Sequence, residues 1–282
     1  MPDHSDILVA FQGEPGAFSF SAARKFFGPE IPMQPCERFQ QVFEALSAGT
    51  ATYAVIPIEN TLYGSIHENY DHLLQYGFKI AGETTIRIAH QLIAQPGVCF
   101  EEIRRVFSHP VALDQCRHFF AAFPHLTPVS FYDTAGSVKM IMQQQLTDAA
   151  AIASEAAAEI YGGSILKRNI EDNEGNFTRF FLLTKQIYTM EVFHRSDFWK
   201  TSLVFAAANE PGALFKAMAC FALRNINLTK IESRPIREKP WEYLFYVDVA
   251  GCLDDENVRR AVLHLEEWTS SSRVLGSYRP TP

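Results

Sequence analysis

The sequence lacks the features that would place a protein in a membrane or on a nucleic acid. Its longest apolar run, residues 217–223, has seven residues, whereas a membrane-spanning helix needs roughly 20. No basic run is longer than two residues, and 25 Lys and Arg against 32 Asp and Glu give a formal net charge of -7. Nucleic acids and anionic membranes require a concentrated positive surface, so we expect neither as a partner.

Cysteine pairs and targeting signals are also missing. The five cysteines include no CxxC pair, and the first residues, MPDHSD, carry acids where a secretory signal has basic residues. We therefore expect reduced thiols and a cytoplasmic location.

The common cofactor and metal motifs are absent as well. The sequence has no GxGxxG, P-loop, GxSxG or HExxH motif, and none of its nine histidines lies at metal-binding spacing. We expect neither a cofactor nor a metal, so any catalysis would rest on positioning and electrostatics.

What is present is an ordinary globular composition with an alternating strand and helix pattern. A length of 282 residues favours about two domains. Strand patterns occur at residues 7–12, 53–58, 106–108, 129–132 and 150–153. Helical patterns follow them at residues 20–27, 39–46, 66–74, 113–123, 135–145 and 155–161. This alternation predicts βαβ units and parallel sheet, with residues 78–95 forming either one long strand or two.

The pattern changes after residue 186. Residues 187–199 are mixed in charge and aromatic content, and we interpret them as a linker between residues 1–186 and residues 200–282. Strands are predicted at residues 201–208, 227–233, 243–249 and 274–278, with helices at 214–224 and 256–268. The order βαββαβ is that of a ferredoxin-like domain.

Polar residues follow the predicted strands of the first part, at residues 13–19, 59–65, 108–110 and 133–137. Parallel sheets bind ligands beyond the carboxyl ends of their strands, at helix N-termini. We expect these clusters to converge on one cleft, although each alone is equally typical of a helix cap.

Arg179 stands out because it lies at the start of an apolar strand, after the polar loop that begins at Glu171. An arginine at a strand mouth is suited to bidentate binding of a carboxylate. The alternative is an internal salt bridge to Glu171 or Asp172.

An ordered set of motifs resembles the prephenate dehydratase family over nearly the whole chain. The motifs are NFTRF (176–180), GEPGAF (13–18), PIEN (57–60) with Gly64-Ser65, SHP (108–110) with Gln115-Cys116, and DTA (133–135). Residues 200–282 resemble a phenylalanine-binding ACT domain, with GALF (212–215) and ESRP (232–235). Val111 and Thr61 depart from the family, which commonly has Gln and Ser at these positions.

The resemblance implies a fold, a reaction and a regulator. The fold is a two-lobed catalytic part similar to type II periplasmic binding proteins, followed by the ACT domain. The reaction is decarboxylative dehydration of prephenate to phenylpyruvate without a cofactor. The regulator is L-phenylalanine, which inhibits a homodimer or homotetramer. Because prephenate is a dianion and the chain is acidic, Arg179 and helix N-termini would have to make the cleft locally positive.

Residue roles carry over from the matching motifs. Thr178 would donate a hydrogen bond to the leaving hydroxyl, and Arg179 would hold the carboxylate retained in the product. The other candidate catalytic residues are Glu59, Asn60, Ser65, Ser108, His109, Thr134 and Asn176. The candidate L-phenylalanine site comprises Asn209, Pro211, Gly212, Ala213, Leu214, Asn227, Leu228, Ile231, Glu232 and Ser233.

Two other functions are compatible with the sequence. One is arogenate dehydratase, which performs the same chemistry on the aminated substrate, where an acid such as Glu59 or Asp114 would matter. The other is a non-catalytic amino-acid sensor, made of two α/β lobes and an ACT-like module. For the L-phenylalanine site, the alternative is that residues 209–212 are merely a turn before a helix.

Overall fold

The computed structural model describes residues 7–185, 198–236, 239 and 241–281. Two compact units emerge, one formed by Met1–His72 with Thr85–Phe180 and the other by Leu73–Thr84 with Phe181–Pro282. Residues 187–197 of the predicted linker lie outside the described residues, so the linker and its boundaries stay a prediction. None of the described helices is both long and apolar enough to span a membrane.

The first 185 residues form seven α-helices and eleven strands among the described residues. The strands are β1 (Val9–Gln12), β2 (Met33–Cys36), β3 (Tyr53–Asn60), β4 (Gly64–Ser65), β5 (Lys79–Arg87), β6 (Gln91–Ala94), β7 (Arg105–Ser108), β8 (Thr127–Ser130), β9 (Ala149–Ala153), β10 (Ser164–Lys167) and β11 (Phe177–Thr184). The helices are α1 (Phe18–Phe27), α2 (Phe39–Ala48), α3 (His67–Tyr76), α4 (Pro110–Asp114), α5 (Arg117–Ala122), α6 (Thr134–Gln143) and α7 (Glu155–Tyr161).

Two sheets make the two predicted lobes. The first has the order β16-β5-β11-β3-β1-β2, where β16 is the last strand of the chain (Pro280–Thr281) and β4 pairs with β3; the second has the order β10-β6-β9-β7-β8. β1 is parallel to β2 and β3, and β7 is parallel to β8 and β9. The two-lobed α/β architecture is confirmed.

The expectation of parallel sheet is wrong for part of the second lobe. β6 pairs antiparallel with both β9 and β10. Parallel neighbours need a crossover helix between them. β6 and β10 are the strands at which the chain enters and leaves this lobe, so neither is part of a βαβ repeat within it. Residues 78–95 form two strands, β5 and β6.

Local sequence explains where several helices begin and end. Buried Val42, Phe43 and Leu46 recur at helical spacing on α2, and Gly49 ends it in the left-handed region at φ 78°. Asp133 caps α6 by accepting the Gly136 N–H at 2.7 Å. The helical periodicity and its stop signals were therefore reliable guides to these elements.

The predicted helix at residues 113–123 is two short helices, α4 and α5. The Asp172 carboxylate accepts the backbone N–H groups of Arg117 and His118, both at 2.9 Å. These bonds give α5 a new start supplied by a residue distant in sequence. The strand predicted at residues 129–132 lies at Thr127–Ser130, and the short strands β2, β4 and β10 were not predicted.

The second unit has the predicted ferredoxin-like order. Its elements are β12 (Lys200–Ala207), α8 (Ala213–Ala222), β13 (Leu228–Pro235), β14 (Tyr243–Ala250), α9 (Glu256–Trp268), β15 (Ser271–Tyr278) and β16 (Pro280–Thr281). The sheet order is β13-β14-β12-β15, with antiparallel pairing along it. Phe205, Phe221, Val247 and Leu265 contribute to a core between this sheet and its two helices. The βαββαβ prediction is confirmed.

A buried ion pair lies in this second unit. Lys200 Nζ is 2.7 Å from Glu83 Oε1, and the two side chains are only 10% and 7% exposed. The Tyr278 hydroxyl donates to the other oxygen of Glu83 at 3.3 Å. The Glu83 carboxylate is therefore enclosed, with the Lys200 ammonium and the Tyr278 hydroxyl among its partners.

Candidate active site

A cavity of about 460 Å³ lies in the first unit, and residues of both lobes line it. This volume falls within the range of roughly 300–1,000 Å³ that is typical of small-molecule sites. Apolar residues, among them Phe18, Pro57, Ile88 and Phe180, form much of its wall. Its polar and ionisable lining residues are Gln12, Ser19, Asn60, Tyr63, His90, His109, Gln115, Tyr132, Asp133, Thr134 and Thr178.

No lysine or arginine is among the described residues that line this cavity. The starts of two ten-residue helices do line it, through Ala17 to Ser19 for α1 and through Asp133 and Thr134 for α6. Ala17 caps α1 without a side-chain hydrogen bond, so the N–H groups of the first turn of α1 have no capping side chain. Helix N-termini carry partial positive charge, and they are what this cavity offers to an anion.

Thr178 is held in the cavity by Asn60. The Asn60 Nδ2 donates to Thr178 Oγ1 at 2.9 Å, to Asn176 Oδ1 at 2.8 Å and to the Phe177 carbonyl at 3.2 Å. The Asn60 Oδ1 accepts the backbone N–H groups of Leu62 and Tyr63, which fixes the orientation of the amide. Thr178 Oγ1 accepts the hydrogen bond from Asn60, and its own O–H donates to no described residue. That O–H can therefore donate to a ligand in the cavity.

Arg179 is not at the cavity. Side chains alternate along a strand, and the lining residues of β11 are Thr178 and Phe180, so Arg179 points to the opposite face. Its Nη2 lies 3.1 Å from Glu59 Oε2. Arg179 is thus absent from the described lining, and its predicted role at the substrate carboxylate stays a prediction.

The alternative for Arg179, an internal salt bridge, is present with Glu59 as the described partner. Glu171 pairs with Arg87 at 2.8 Å, and Asp172 starts α5 as described above. The sequence could not reveal the Glu59 partner, because Glu59 and Arg179 belong to different strands.

The predicted site residues other than Arg179 divide into three groups. Asn60, His109, Thr134 and Thr178 line the cavity. Asn176 lies behind it, in contact through Asn60. Three residues are outside the lining: Glu59, which pairs with Arg179; Ser65, which faces Glu59 across the β3–β4 pair; and Ser108, whose buried hydroxyl donates to the Ile152 carbonyl at 2.6 Å. The catalytic roles of all these residues stay predictions.

His109 brings an N–H donor to the cavity. Its Nδ1 accepts the Val111 N–H at 3.3 Å, so the neutral ring carries its proton on Nε2. Burial lowers the pKa of His109, more than nearby Asp133 raises it. Burial also raises the pKa of Asp133, whose Oδ1 is engaged with the Gly136 N–H.

Several lining residues, above all His90, were not predicted as site residues, and Gln115 entered only as part of the Gln115-Cys116 motif. The His90 Nε2 lies 2.7 Å from Gln115 Oε1. Tyr63 also escaped notice, and its hydroxyl donates to Asp114 Oδ2 at 2.9 Å. The one available sequence signal for His90 was its position at the break between β5 and β6.

The Gly13–Gly16 segment is packed tightly before α1. The Ser154 hydroxyl donates to the Gly16 carbonyl at 2.5 Å. Gly16 has φ +90°, and a Cβ there would lie 2.7 Å from the Cα of Ala157 on α7. Only glycine fits this position without a shift of backbone.

The candidate L-phenylalanine residues occupy two places in the second unit. Asn209 to Leu214 form the turn into α8, where Gly212 caps the helix at φ 81°. Asn227 to Ser233 lead into and form much of β13, an edge strand on which Ile231 is 49% exposed. Ala213 and Leu228, one from each group, pack in the same hydrophobic core, and the ligand site stays a prediction.

Comparison with known proteins gives two family matches. Residues 9–187 match the family described as "Prephenate dehydratase", and residues 201–266 match the one described as "ACT domain". A similar curated protein is "Arogenate dehydratase/prephenate dehydratase 2, chloroplastic" of Arabidopsis thaliana. It is 46% identical over 283 residues, which are 97% of this chain and 73% of that protein.

Two solved structures resemble the chain along nearly its whole length. One is a prephenate dehydratase in complex with L-Phe from Arthrobacter aurescens, with 30% identity and a TM-score of 0.86, covering 97% of this chain and 90% of that one. The other is described as GqqA, a novel type of quorum quenching acylase, with 34% identity and a TM-score of 0.87, covering 98% of each chain.

Proposed function

The chain belongs to the prephenate dehydratase family, and from that premise we propose that it converts prephenate to phenylpyruvate, releasing water and carbon dioxide, in L-phenylalanine biosynthesis. The observation that carries this proposal is the position of the Thr178 hydroxyl in the cavity. Its oxygen accepts a hydrogen bond from Asn60 Nδ2 at 2.9 Å, and its own O–H donates to no described residue.

The reaction breaks two bonds of the prephenate ring. The ring C–O bond breaks as its oxygen gains a proton and leaves as water. The C–C bond to the ring carboxylate breaks as carbon dioxide departs, and its electron pair completes the aromatic ring. The protein therefore has to supply a hydrogen-bond donor at the hydroxyl and must avoid stabilising the departing carboxylate in the ground state.

Thr178 meets the first requirement. Its O–H donates to the departing oxygen, while the Asn60 N–H stabilises the negative charge that develops on Thr178 Oγ1. Because a threonine hydroxyl is a weak acid, the proton it gives up is replaced through water and not from Asn60.

The cation-free lining meets the second requirement. A lysine or arginine beside the ring carboxylate would stabilise the substrate more than the transition state, in which that charge is lost. The described lining has neither, and Phe180 and Ile88 give the ring apolar walls. The carboxylate that the product keeps is assigned to the N–H groups at the start of α1, because the Asp133 carboxylate already caps the start of α6.

We favour prephenate over arogenate, which differs by an ammonium group in place of a keto group. The two acids considered for ammonium binding are both outside the lining, since Glu59 pairs with Arg179 and Asp114 pairs with Arg117. Asp133 does line the cavity, but its carboxylate caps α6. The relatives include proteins named for both activities, so arogenate dehydratase is the second candidate.

Steady-state kinetics with both substrates on one preparation test this proposal. We expect kcat/KM for prephenate to exceed that for arogenate by at least about tenfold, because an unpaired buried ammonium is costly. The reverse order would establish the arogenate alternative. Turnover of neither, with retained L-phenylalanine binding, would favour the non-catalytic sensor.

The ACT domain supports regulation by L-phenylalanine. The proposed pocket combines the turn at Asn209 with β13 of a second copy, since β13 is an exposed edge able to pair with another chain. We expect L-phenylalanine and phenylpyruvate to weaken each other's binding reciprocally, typically by about 1–3 kcal/mol. Calorimetric titration of each ligand with and without the other measures this coupling, and identical affinities would reject it.

A homodimer or homotetramer and a cytoplasmic location are part of the same proposal. Light scattering of the purified chain gives its mass in solution, and a monomer at assay concentration would exclude a pocket shared between copies. Fractionation of the source cells tests the location.

A further inference from the structure

A buried histidine that the mechanism above does not use forms part of the cavity wall. His90 is 1% exposed, and its Nε2 lies 2.7 Å from the side-chain oxygen of Gln115, which is 8% exposed. Both residues line the cavity, and Gln115 also lines a smaller polar cavity beside it. Two buried polar side chains thus meet at a place where a ligand would bind.

The backbone of His90 is fixed on both sides. Its N–H donates to Glu171 Oε2 at 2.8 Å, and its carbonyl accepts the Ile170 N–H at 3.0 Å. Glu171 is in turn paired with Arg87 through its other oxygen. The imidazole packs edge-on against Phe18, with ring centroids 5.8 Å apart. The ring therefore has little freedom to turn away from Gln115.

The contact defines which atoms carry protons. An amide oxygen can only accept, so the His90 ring must carry its proton on Nε2 and donate it to Gln115. Burial lowers the pKa of His90, more than Gln115 and Glu171 raise it, which keeps the ring neutral near pH 7. The Gln115 NH₂ donates to no described residue, so it is the part of the amide that can donate to a ligand.

We propose that His90 is a positioning residue of this site, which holds the Gln115 amide with its oxygen toward the protein and its NH₂ toward the substrate. The proposal rests on the proposed dehydratase function. It assigns the Gln115 NH₂ as a donor to an oxygen of bound prephenate. In a cavity without lysine or arginine in its described lining, each fixed N–H donor contributes to holding a dianion. Without His90 the amide can turn over and place its oxygen against a substrate oxygen.

A double-mutant cycle tests whether His90 acts through Gln115. His90→Leu and Gln115→Met are each expected to lower kcat/KM by at least about 30-fold, the effect of losing one charge-assisted hydrogen bond. The double variant is expected to be no more than about threefold worse than Gln115→Met alone, since coupled residues are not additive. His90→Gln, which restores an N–H near the Nε2 position, is expected to recover most of the loss.

His72→Leu is the matched control, because His72 is also largely buried but lies on α3 outside the lining. Its kcat/KM should stay within about twofold of wild type once the folded fraction is measured by urea unfolding. Losses that multiply in the double variant, or no recovery in His90→Gln, would overturn the proposal and leave His90 a packing residue.

A second measurement distinguishes failure of the proposed function from failure of the His90 proposal. If the wild type turns over neither prephenate nor arogenate, the function is wrong, and the same cycle is measured as calorimetric Kd for phenylpyruvate. Non-additive losses of binding would still support the positioning of Gln115, and additive ones would reject it.

Discussion

Replacing Thr178 with valine removes one hydroxyl from the cavity and preserves the shape of the side chain. The lost bond is the one from Asn60 Nδ2 at 2.9 Å. Asn60 keeps Asn176 Oδ1 and the Phe177 carbonyl as acceptors, so its amide is not left buried without a partner. The loss of folding stability should therefore be that of one net hydrogen bond, about 0.5–1.5 kcal/mol.

The effect on catalysis should be much larger than the effect on stability. Proton donation to a leaving group typically contributes about 10²–10⁴-fold, which is roughly 2.7–5.4 kcal/mol of barrier. The oxygen of the ring hydroxyl becomes strongly basic only as the C–O bond breaks. We therefore expect kcat to fall by at least about 100-fold while KM changes by less than about threefold.

The assay is steady-state formation of phenylpyruvate, with urea unfolding of the same preparations to measure the folded fraction. Thr178→Ser is the control, because it keeps the donor and loses only a methyl group. It should stay within about tenfold of wild type. A valine variant that retained turnover within the same range, or that lost activity only through KM, would refute the assignment of Thr178 as the donor.

Three further predictions concern stability. Gly16→Ala should lower the free energy of unfolding by about 2–5 kcal/mol, because the new Cβ adds strain at φ +90° and a close contact with α7. Gly28→Ala is the control: at φ +93° with nothing within 4 Å, it should cost only the backbone strain of about 1–2 kcal/mol. Equal losses in urea unfolding would show that the contact is relieved by a small shift. Lys200→Met should destabilise by about 3–5 kcal/mol, because it leaves the buried Glu83 carboxylate without the Lys200 ammonium. Adding Glu83→Gln should restore much of this loss, and a double variant no better than the single would contradict that cause. Because burial lowers the pKa of His90 in the folded chain, the unfolded chain protonates first, and stability should fall as pH drops below about 6.5. His90→Gln should weaken that dependence between pH 7.5 and 5.5, and an unchanged slope would assign it to other groups.

The order of secondary-structure elements was largely predictable because it depends on short-range patterns. α2, α7 and α9 lie where helical spacing and capping residues put them, and so do the strands of the ferredoxin-like unit. Strand direction in the second lobe was not predictable, because β6 has no local signal that distinguishes a parallel from an antiparallel neighbour. The break between α4 and α5 was hidden for the same reason, since Asp172 supplies it from far along the chain.

The candidate site was predictable to the extent that ordered motifs carry it. Asn60, His109, Thr134 and Thr178 line one cavity, as the convergence of strand ends led us to expect. Arg179 was misplaced because its apolar neighbours indicate burial but not which face of β11 each side chain occupies. His90 was missed because it is a lone histidine whose partner, Gln115, lies on the other lobe.

The sequence by itself determined the elements, their order, the family and the kinds of side chain available for chemistry, because these follow from local spacing and ordered motifs. Only the tertiary structure decided which of those side chains meet. Asn60 and Thr178 are more than a hundred positions apart, and Arg179 turns away from the same cavity by one step of strand alternation. The start of α1 lies at the cavity and Arg179 is absent from its lining, because chain pairing, and not composition, sets which groups line the site.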